Sequence, residues 1–569
     1  MTGLMSRVQP DAAYRRPAPP PGVLKLDGNE GAPPPRALLE TLAGLDPELL
    51  RRYPDVSVLE AALAVQFGVS PDRVIVTAGA DDAIDRVCRA FLAPGRTMLL
   101  PDPTFEMLNR YAALAGGELV RVSWRREPFP VDDFAGRLDA RTSVIAVVSP
   151  NNPTGAVASL SDVRRLAGAA PAALVLLDHV YVEYASADLT AGVLDLPNVL
   201  VVRTLSKAWG LAGCRVGYAL GGARVVATLR AAGGPYPVAA PSLSLALARL
   251  AGGEASLRPH VAAVRAERRV LTRRALALGL EAWPSQANFV LVECGRRAAF
   301  LATALAALGV LVRDFPGRPG LETALRITLP GQPDEFARLL AALDTALAPD
   351  ALLLDLDGVL ADVTDSQTAA IVATARSFGV AVTPDEVAAE RRAGDAANDW
   401  AVTQRLVARR GVSAALAAVT ACYQALYLGA DGAPALRERE RLIPERGVLE
   451  RLAARRPLAI VTGRPRLEAE WFLTRAGIAH LFPVIVCMED APGKPDAAPV
   501  RLALSRLGVQ SAWLVGDTPD DARSAAAAGA LPLGVVAPGD DPGVTATALE
   551  AAGAARVLGS VADLLELLP

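Results

Sequence analysis

The stretch RTLSKAWGLAGCRVGY, residues Arg203–Tyr218, contains a lysine in a chain that otherwise uses arginine for its positive charges. Of 58 basic residues, only Lys25, Lys207 and Lys494 are lysine. A primary amine can condense with an aldehyde, whereas a guanidinium stays protonated at neutral pH and is not nucleophilic. Lys207 is therefore a candidate for covalent chemistry that arginine cannot perform.

The residues around Lys207 could bind a phosphate group beside its amine. Thr204 and Ser206 supply hydroxyl groups and Arg215 a guanidinium, all within one short loop after the apolar run VLVVRT (199–204). Hydroxyl groups and guanidinium groups are good hydrogen-bond donors to phosphate oxygens. The loop therefore indicates a phosphate-binding pocket next to a reactive amine.

Three earlier segments carry further candidates. LLDHVY contains Asp178 and Tyr181, SPNNPTG contains Asn152, and TAGADD (77–82) could begin a helix whose N–H groups bind phosphate. Strand ends are where open α/β sheets bind their ligands, and a buried Asp178 could keep a pyridinium nitrogen protonated, which makes the ring an electron sink. Each segment alone also has a simpler interpretation, since such an aspartate is commonly a helix cap and NNPTG a turn.

Short apolar runs alternate with helical segments rich in Ala, Leu and Arg along most of the chain. Runs that are apolar on both faces and end in turn residues are typical of buried parallel strands in α/β proteins. The first series consists of RVIVTAG, TMLLPD, SVIAVVSP, ALVLLD and VLVVRT, followed by ANFVLVEC and ALRITL in a smaller subdomain. The second series consists of ALLLDLDG, PLAIVTGR, FPVIVCMED, SAWLVGD and LPLGVVAPG.

The two series predict two α/β halves joined by a short linker near Pro349. Between ALLLDLDG and PLAIVTGR the sequence has no clear strands, which predicts a helical insert. The expected boundaries are 1–348 for the first half, with a small subdomain at about 1–40 and 245–348, and 349–569 for the second half, with the insert at about 365–445.

The second half carries its own polar residues at the ends of apolar runs. LLLDLDG contains Asp355 and Asp357, whose side chains point the same way in an extended chain. Further candidates are Thr462 in IVTGR, Lys494 in APGKPD, and Asp517 and Asp521 in LVGDTPDD. A carboxylate nucleophile, a magnesium site and a lone cation suit phosphoryl transfer through an aspartyl phosphate. The DxD pattern alone is common and mostly structural.

The first half resembles the fold-type I pyridoxal-phosphate aminotransferases, most closely the histidinol-phosphate aminotransferase family. The resemblance covers about residues 20–345. It rests on KLDGNE, RYPD, GADD, PTFEM, SPNNPTG, LDHVY, TLSKAWGLAGCRVGY, ANFVLV, VRDF and LRITL, which occur in the family's order. It implies a large domain with a mostly parallel sheet, a small α/β subdomain and a bound pyridoxal phosphate.

The resemblance implies a role for each matching cofactor residue. Lys207 would bind the cofactor covalently and move a proton during the reaction, Asp178 would pair with the ring nitrogen, and Phe105 would stack on the ring. Asn152 and Tyr181 would bind the ring oxygen. The cofactor phosphate would be held by Ala80, Asp81, Thr204, Ser206 and Arg215.

The same resemblance implies substrate residues and a dimer. Asn29, Arg313 and Arg326 match the substrate-binding set, and Tyr14 would assist. Arg326 would bind the carboxylate of glutamate in one half-reaction and, with Arg313, the substrate phosphate in the other, because bidentate arginine suits both anions. Tyr53 would reach the cofactor phosphate of the neighbouring subunit, so we expect a homodimer.

Two positions depart from the family's pattern. His179 stands where the family usually has an acidic residue, and Pro237 stands where it usually has asparagine. A histidine at this position could be a catalytic base or could have a structural role. The substrate pocket could therefore differ from that of the family.

The second half resembles the haloacid dehalogenase superfamily of phosphatases over about residues 350–569, because DxDGV, TG, KP and GDxxxD occur in that family's order. The resemblance implies a Rossmann-like domain whose helical insert is a cap that selects the substrate. Asp355 would be the nucleophile and Asp357 the acid and base for the leaving alcohol. Thr462 and Lys494 would hold the phosphoryl oxygens. Mg²⁺ would be bound by Asp355, Asp517 and the carbonyl group of Asp357, with Asp521 in support.

Two features have no clear assignment in these patterns. GDAANDW (394–400) is polar and aromatic within an Ala-rich insert, which predicts either a segment that faces the active site or the start of a helix. Lys25 precedes LDGNE and has no evident role.

The composition excludes several classes of protein. The net charge is −3 and the charged residues form no block of one sign, so neither nucleic acid nor a membrane surface is an expected partner. The five cysteines are far apart and form no CxxC pair, which argues against structural zinc or a disulfide framework. The N-terminal segment has prolines instead of an apolar run, and no apolar stretch is long enough to span a bilayer. We expect a cytoplasmic protein with small-molecule substrates.

The motifs together predict a bifunctional enzyme of histidine biosynthesis. The first half would transfer an amino group from glutamate to imidazole acetol phosphate, and the second would hydrolyse the resulting L-histidinol phosphate. One alternative is an aminotransferase or decarboxylase of another amino-acid phosphate or of aromatic amino acids, joined to an unrelated phosphatase. Others are a regulatory protein with an aminotransferase fold, for which no basic DNA-binding helix is evident, and a second half used only for assembly.

Overall fold

The computed structural model describes residues 22–126, 128–392, 399–429 and 434–568. Tyr14 and residues 394–398 of GDAANDW, with the roles predicted for them, lie outside the described residues. The chain forms two compact units. The first extends to Gly295 and includes Val312–Arg338, and the second consists of Arg296–Leu311 and Leu339–Pro569.

The strands and helices have the following bounds. The strands are β1 (Leu24–Leu26), β2 (Val74–Thr77), β3 (Thr97–Asp102), β4 (Glu118–Ser123), β5 (Thr142–Val148), β6 (Leu174–Asp178), β7 (Val199–Thr204), β8 (Gly217–Gly221), β9 (Glu281–Ala282), β10 (Phe289–Glu293), β11 (Val310–Val312), β12 (Ala324–Thr328), β13 (Ala351–Leu354), β14 (Ala361–Asp362), β15 (Arg441–Leu442), β16 (Leu458–Val461), β17 (Val484–Val486), β18 (Ala512–Gly516), β19 (Leu531–Val535) and β20 (Val557–Leu558). The helices are α1 (Glu40–Ala43), α2 (Glu48–Arg51), α3 (Ser57–Phe67), α4 (Gly79–Phe91), α5 (Glu106–Leu114), α6 (Val131–Ala135), α7 (Leu160–Ala169), α8 (Ala223–Ala232), α9 (Ala240–Ala251), α10 (Arg258–Ala277), α11 (Ala298–Ala307), α12 (Pro333–Leu347), α13 (Ala369–Ser377), α14 (Pro384–Arg392), α15 (Asp399–Arg409), α16 (Leu416–Leu428), α17 (Arg446–Arg455), α18 (Arg466–Arg475), α19 (Ala498–Leu507), α20 (Pro519–Ala528), α21 (Pro542–Ala551) and α22 (Leu564–Leu567).

The first unit is built on a seven-stranded sheet in the order β2-β8-β7-β6-β5-β3-β4. Its neighbouring strands pair in parallel except where β8 pairs with β2 and β7. The five apolar runs predicted as strands are β2, β3, β5, β6 and β7, and nearly all their residues are buried. β4 escaped prediction because it is largely exposed, and β8 because two of its five residues are glycine.

The first unit also contains a smaller antiparallel sheet in the order β12-β10-β9, which positions a residue of the first site. The segments ANFVLVEC and ALRITL form β10 and β12, as predicted, and Leu291 pairs with Arg326 across them. This pairing fixes the position of Arg326, because register decides which side chains share a face.

The second unit contains a parallel six-stranded sheet in the order β17-β16-β13-β18-β19-β20. The five runs predicted in the second half are β13, β16, β17, β18 and β19. The helical insert predicted between the first two is also present: α13 to α16 lie between β14 and β15, which pair antiparallel at its base. The insert has its own apolar core, which includes Ile371, Val402, Leu406 and Tyr427. These units confirm the predicted α/β class.

Within the ranges described above, every helix is too short or too polar to cross a membrane.

Candidate active sites

The first site is a cavity at the carboxyl ends of β6 and β7, in the first unit. β6 ends at Asp178 and β7 at Thr204, so parallel pairing brings the segments that follow them to one edge of the sheet. The predicted residues that line the cavity are Asn29, Ala80, Asp81, Phe105, Asn152, Asp178, Tyr181, Thr204, Ser206, Lys207, Arg215, Arg313 and Arg326.

The amine of Lys207 lies in this cavity without a carboxylate partner among the described residues. Its Nζ donates a hydrogen bond to the carbonyl oxygen of Gly28 at 3.1 Å and lies 5.4 Å from the ring centre of Tyr181. Burial, assisted by the guanidinium of Arg326, lowers the pKa of Lys207 to about 8. An appreciable fraction of the amine is therefore deprotonated near neutral pH and able to react with an aldehyde.

Asp178 is a buried carboxylate, with 3% of its surface exposed, at the end of a central strand. Its Oδ1 accepts a hydrogen bond from the N–H of Val180 at 3.3 Å, and no described arginine or lysine forms an ion pair with it. Burial raises the pKa of Asp178 to about 7. A buried carboxylate is costly unless a cation pairs with it, and a protonated ring nitrogen would be such a cation.

A turn at the start of α4 lies against the guanidinium of Arg215. Gly79 has a φ of +81°, and a Cβ at this position would lie 2.6 Å from a guanidinium nitrogen of Arg215. Arg215 donates to Asp81 at 3.2 Å, and the hydroxyl of Thr204 donates to that of Ser206 at 3.0 Å. A helix N-terminus, two hydroxyl groups and a guanidinium together suit a phosphate group.

Four further predicted residues form hydrogen-bonded pairs in the cavity. The amide of Asn29 donates to the hydroxyl of Tyr181 at 3.0 Å, and Arg326 donates to the amide oxygen of Asn152 at 2.6 Å. Burial raises the pKa of Tyr181 to about 12, so its hydroxyl stays protonated. Asn29 has a φ of +52°, a conformation that asparagine tolerates better than most residues, and its amide oxygen accepts from Thr328.

Arg318 lines this cavity beside the two predicted substrate arginines, Arg313 and Arg326. Arg313 and Arg326 exchange backbone hydrogen bonds at 3.0 and 2.8 Å, so their side chains start from neighbouring positions. Arg318 was missed because only the first arginine of VRDFPGR matches the family's motif. Its guanidinium donates to the carbonyl oxygen of Thr104 and lies 5.9 Å from the ring centre of Phe315.

Tyr53 does not line the cavity of its own chain. It is 78% exposed and stacks on Tyr236, with ring centres 4.3 Å apart and planes at 10°. Its predicted contact with the cofactor of a neighbouring subunit stays a prediction.

Both ring nitrogens of His179 form hydrogen bonds with backbone groups, so the ring is unavailable as a base. Its Nδ1 bonds to the carbonyl oxygen of Ser149, and its Nε2 accepts a hydrogen bond from the N–H of Leu189 at 3.2 Å. Since Nε2 is the acceptor, the proton is on Nδ1 and the ring is neutral. Burial lowers the pKa of His179 to about 4, in agreement with this tautomer. Of the two alternatives left open by the sequence, the geometry favours the structural role.

The second site is a cavity in the second unit, at the carboxyl ends of β13 and β18. Asp355 follows β13 and Asp517 follows β18, and these strands are adjacent and parallel. Asp355, Asp357, Lys494 and Asp517 line the cavity. Thr462 follows the neighbouring strand β16 and is buried, and its hydroxyl oxygen accepts from the N–H of Arg464 at 3.2 Å.

Lys494 lies between two carboxylates. Its Nζ is 2.9 Å from Oδ1 of Asp355, contacts Asp521, and donates to the carbonyl oxygen of Val461 at 3.1 Å. Burial alone would lower the pKa of Lys494, but Asp355 and Asp521 outweigh it and raise this pKa. The ammonium group is therefore a permanent cation beside Asp355.

Three of the four aspartates predicted at the metal site come together. Ligand atoms of Asp355, Asp517 and Asp521 all lie within 4.8 Å of one another. Oδ1 of Asp517 is buried with no hydrogen-bond partner among the described residues, and burial raises the pKa of its carboxyl well above the usual range. Gly358 makes room for this group, because a Cβ there would lie 2.2 Å from Oδ2 of Asp517. Carboxylate oxygens in such an arrangement fit Mg²⁺.

The carboxylate of Asp357 lies apart from this group and is bound by two residues that sequence reasoning missed. Arg464 donates to its Oδ1 at 2.6 Å and Gln367 to its Oδ2 at 3.1 Å. Arg464 also donates to buried Glu440 at 3.0 Å and to Tyr427 at 3.2 Å. Burial would raise the pKa of Asp357, but Arg464 outweighs it and lowers this pKa. Arg464 stands two residues after Thr462 in TGR, and this position was the only feature of the sequence that could have identified it as a site residue.

Comparison with known proteins gives two family matches. Residues 22–343 match the family described as aminotransferase class I and II, and residues 349–529 match haloacid dehalogenase-like hydrolase.

The chain is also similar to individual proteins over parts of its length. The chain is 36% identical over 337 residues to histidinol-phosphate aminotransferase of Roseiflexus castenholzii, which covers 56% of this chain and 89% of that protein. It is 44% identical over 236 residues to imidazoleglycerol-phosphate dehydratase of Phytophthora nicotianae, which covers 38% of this chain and 52%, about half, of that relative's length. The crystal structure of histidinol-phosphate aminotransferase from Sinorhizobium meliloti in complex with pyridoxal-5'-phosphate is 26% identical, with a TM-score of 0.51 over 56% of this chain and 89% of that one.

These matches agree with the two cavities and their residues. An aminotransferase of class I implies pyridoxal phosphate as its cofactor, and the amine of Lys207, the buried carboxylate of Asp178 and the turn at Gly79 fit that group. The chain is an enzyme that belongs to the class I and II aminotransferases and continues into a haloacid dehalogenase-like hydrolase domain.

Proposed function

We propose that the chain catalyses two consecutive steps of histidine biosynthesis. The first half transfers an amino group from glutamate to imidazole acetol phosphate, and the second hydrolyses the L-histidinol phosphate that results. The observation that carries this proposal is the presence of Arg313 and Arg326 in the cavity of Lys207, because guanidinium forks bind both carboxylate and phosphate groups. Similarity to proteins named histidinol-phosphate aminotransferase supports it.

Pyridoxal phosphate supplies an aldehyde and an electron-accepting ring when it is bound. Lys207 provides the amine for that aldehyde and moves the proton at the substrate Cα, since its lowered pKa lets it both take and return a proton. Asp178 holds a proton at the ring nitrogen, and Asn152 and Tyr181 orient the ring oxygen. Phe105, which lines the cavity, would stack on the ring and exclude water.

The remaining residues of the first cavity bind the anionic groups. The residues that would hold the cofactor phosphate are Ala80, Asp81, Thr204, Ser206 and Arg215. Arg326 binds the carboxylate of glutamate, and Arg313 together with Arg326 binds the substrate phosphate. Asn29 and Tyr14 assist in binding the substrate. Arg326 is already held by Asn152 and by the carbonyl oxygen of Asp27 at 2.6 Å, so its fork is fixed before the substrate enters.

In the second half, Asp355 attacks the phosphorus of the phosphate ester and the alcohol leaves with a proton from Asp357. A water molecule then attacks the phosphoryl group, and Asp357 removes a proton from this water. Inorganic phosphate leaves, and the carboxylate of Asp355 is regenerated. Thr462 and Lys494 bind the phosphoryl oxygens during both steps. The ion pair with Arg464 orients Asp357 and favours its ionised form, which is the form that accepts the proton of water.

Mg²⁺ is the metal we propose for this half. Asp355, Asp517 and the carbonyl group of Asp357 would hold it, with Asp521 in support through the capping bonds it forms to Thr518. The ion adds positive charge beside the phosphate group.

The assembly, location and boundaries belong to the same proposal. We place the enzyme in the cytoplasm as a homodimer in which exposed Tyr53 reaches the cofactor phosphate of the partner. The halves comprise 1–348, with a small subdomain at 1–40 and 245–348, and 349–569, with a cap at 365–445. The family matches, which end at 343 and begin at 349, support the boundary between halves.

The test is a product analysis with the full-length enzyme. Imidazole acetol phosphate, glutamate, pyridoxal phosphate and Mg²⁺ are supplied, and histidinol, histidinol phosphate and 2-oxoglutarate are quantified over time. We expect free histidinol and inorganic phosphate in step with 2-oxoglutarate. Accumulation of histidinol phosphate in the presence of Mg²⁺ would show that the second half acts on another ester. Absence of 2-oxoglutarate would overturn the first step.

A further inference from the structure

The cavity above Asp355 has a second group of lining residues that the phosphoryl chemistry does not use. These residues come from the cap helices and from α18, and they include Trp400, Tyr423 and Glu468. The leaving alcohol of a phosphate ester has to occupy this part of the cavity, because the phosphate end is bound by Asp355 and Lys494. The side chains of this second group therefore influence which alcohol the site accepts.

Glu468 is a carboxylate that is only 8% exposed and yet has no ion pair with a described residue. Its Oε1 accepts a hydrogen bond from the amide of Gln424 at 3.0 Å, which stabilises the group without neutralising its charge. Burial raises the pKa of Glu468, and it outweighs the hydrogen bond from Gln424 and the positive charge of Arg464, which both lower it. A positive group brought into the cavity would remove this penalty.

The two arginines of the cavity wall are already paired. Arg391 is 2.8 Å from Oδ1 of Asp399 and donates to Gln367 at 3.3 Å. The other guanidinium, that of Arg464, bonds to Asp357 and Glu440. Breaking either pair to reach Glu468 would leave another carboxylate of the cavity without its cation, and for Arg464 one of these carboxylates, Glu440, is buried. Arg464 lowers the pKa of Glu468 without forming an ion pair with it, and burial outweighs this effect, so these two side chains compensate the charge of Glu468 only in part.

Two aromatic residues line the same part of the cavity. The hydroxyl of Tyr423 donates to Asp399 at 2.7 Å, which anchors this side chain, and Trp400 packs partly against the apolar core of the cap. Aromatic rings attract cations through their faces, and tryptophan does so most strongly. A carboxylate together with aromatic side chains is a suitable environment for an ammonium or imidazolium group.

We propose that Glu468 binds a positively charged group on the leaving alcohol, so that this site selects phosphate monoesters of cationic amino alcohols over those of neutral alcohols. The inference rests on the proposed phosphatase activity of this half and adds the chemical class of its substrate. It also places the reaction after an amino transfer, because transamination of a phosphorylated ketone introduces an ammonium group near the phosphate ester.

The test compares esters of different charge on the full-length enzyme with Mg²⁺ and without a 2-oxo acid. Phosphate release is measured for histidinol phosphate and phosphoethanolamine, which are cationic, and for glycerol 3-phosphate, which is not. For Glu468→Gln we expect kcat/KM on the cationic esters to fall about tenfold or more relative to the neutral ester, because loss of one member of a buried charge pair has effects of at least that order. Glutamine preserves the shape and the contact with Gln424.

The matched control is Glu470→Gln on the same helix, where the carboxylate is half exposed and lies 3.5 Å from Arg466. This variant should keep the wild-type ratio between the esters. Glu468→Asp, which restores the charge, should recover part of the preference. Turnover of glycerol 3-phosphate reports whether each variant is folded.

The outcomes separate this inference from the proposed function. If wild type hydrolyses histidinol phosphate and Glu468→Gln lowers all three esters by the same factor, the role of Glu468 is wrong and the proposed function stands. If wild type ignores histidinol phosphate but hydrolyses phosphoethanolamine in a Glu468-dependent manner, the proposed function fails and the preference for cations stands. A wild type that prefers glycerol 3-phosphate would overturn the inference.

Discussion

Lys207 and Lys494 are both partly buried in active-site cavities, yet their surroundings differ in charge. Nζ of Lys207 bonds to a backbone carbonyl group, and the positive charge of Arg326 acts on it. Nζ of Lys494 lies between the carboxylates of Asp355 and Asp521. Burial lowers the pKa of Lys207 to about 8, whereas the two carboxylates outweigh burial and raise the pKa of Lys494.

This difference shows that the folded surroundings set opposite protonation states for two lysines of one chain. An amine has to lose its proton before it attacks an aldehyde, whereas a group that binds phosphoryl oxygens has to keep it. The third lysine, Lys25, forms an ion pair with Glu30 at 2.6 Å on the partly exposed surface. An arginine could form the same pair, so nothing in the structure requires a lysine there.

Replacing Lys207 by arginine is the sharpest way to break this comparison. Lys207→Arg keeps the positive charge but removes the primary amine, so we expect 2-oxoglutarate formation to fall by at least about 10³-fold, since acid–base catalysis alone contributes on the order of 10²–10⁴. Glutamate should no longer bleach the visible band of the bound cofactor. Phosphate release should be unchanged. Lys494→Arg is the matched variant and should retain transamination. Full transamination by Lys207→Arg would exclude the role assigned to this amine.

Asp355→Asn tests the second site, in which Lys494 lies beside Asp355. The amide keeps the shape of the side chain but cannot attack phosphorus, so phosphate release from histidinol phosphate should fall below detection. Removal of Mg²⁺ with a chelator should have the same effect on wild type. Transamination should tolerate both changes. With imidazole acetol phosphate and glutamate supplied, histidinol phosphate should accumulate. Continued release of phosphate would show that another residue is the nucleophile.

Arg313→Ala should have a smaller effect that depends on the substrate. The side chain is partly exposed and lies 3.7 Å from Glu106, and only a substrate with a phosphate group needs it together with Arg326. Removal of one partner of such a pair costs about 2–5 kcal/mol, so histidinol phosphate should bind far more weakly while glutamate changes little. Half-reaction titrations of the cofactor absorbance with each substrate measure this. Equal weakening of both substrates would contradict the proposed phosphate site.

The smallest expected effect is the pH dependence of cofactor capture by the apoenzyme. Only the deprotonated amine reacts, and the fraction of deprotonated Lys207 rises with pH through its pKa of about 8. Capture should therefore be about tenfold slower at pH 7 than at its high-pH plateau, because one pH unit below a pKa leaves about a tenth of the amine free. Stopped-flow absorbance after mixing with pyridoxal phosphate measures the rate. Arg326→Gln should move the midpoint upward. A midpoint near 10.5 would show that burial does not act on this amine.

The sequence determined the strand order along the chain and most of the chemistry-bearing residues of both sites. Apolar runs buried on both faces identified the central strands, because burial in a parallel sheet leaves no polar alternation. Every cofactor and substrate residue predicted in the first half except Tyr14 and Tyr53 lines one cavity, since parallel strands bring their carboxyl ends to one edge. Strands with weak patterns, β4 and β8, could not be identified in this way.

Tertiary packing alone decided which side chains meet and what charge they carry. Arg318, Gln367 and Arg464 are 214, 10 and 107 residues from the partners they bind, so no local pattern identifies the contacts. The same packing holds His179 in its neutral form and gives Lys207 and Lys494 opposite shifts in pKa. Sequence fixes a residue's functional groups, whereas desolvation and neighbouring charges depend on the folded surroundings, and these set its protonation state.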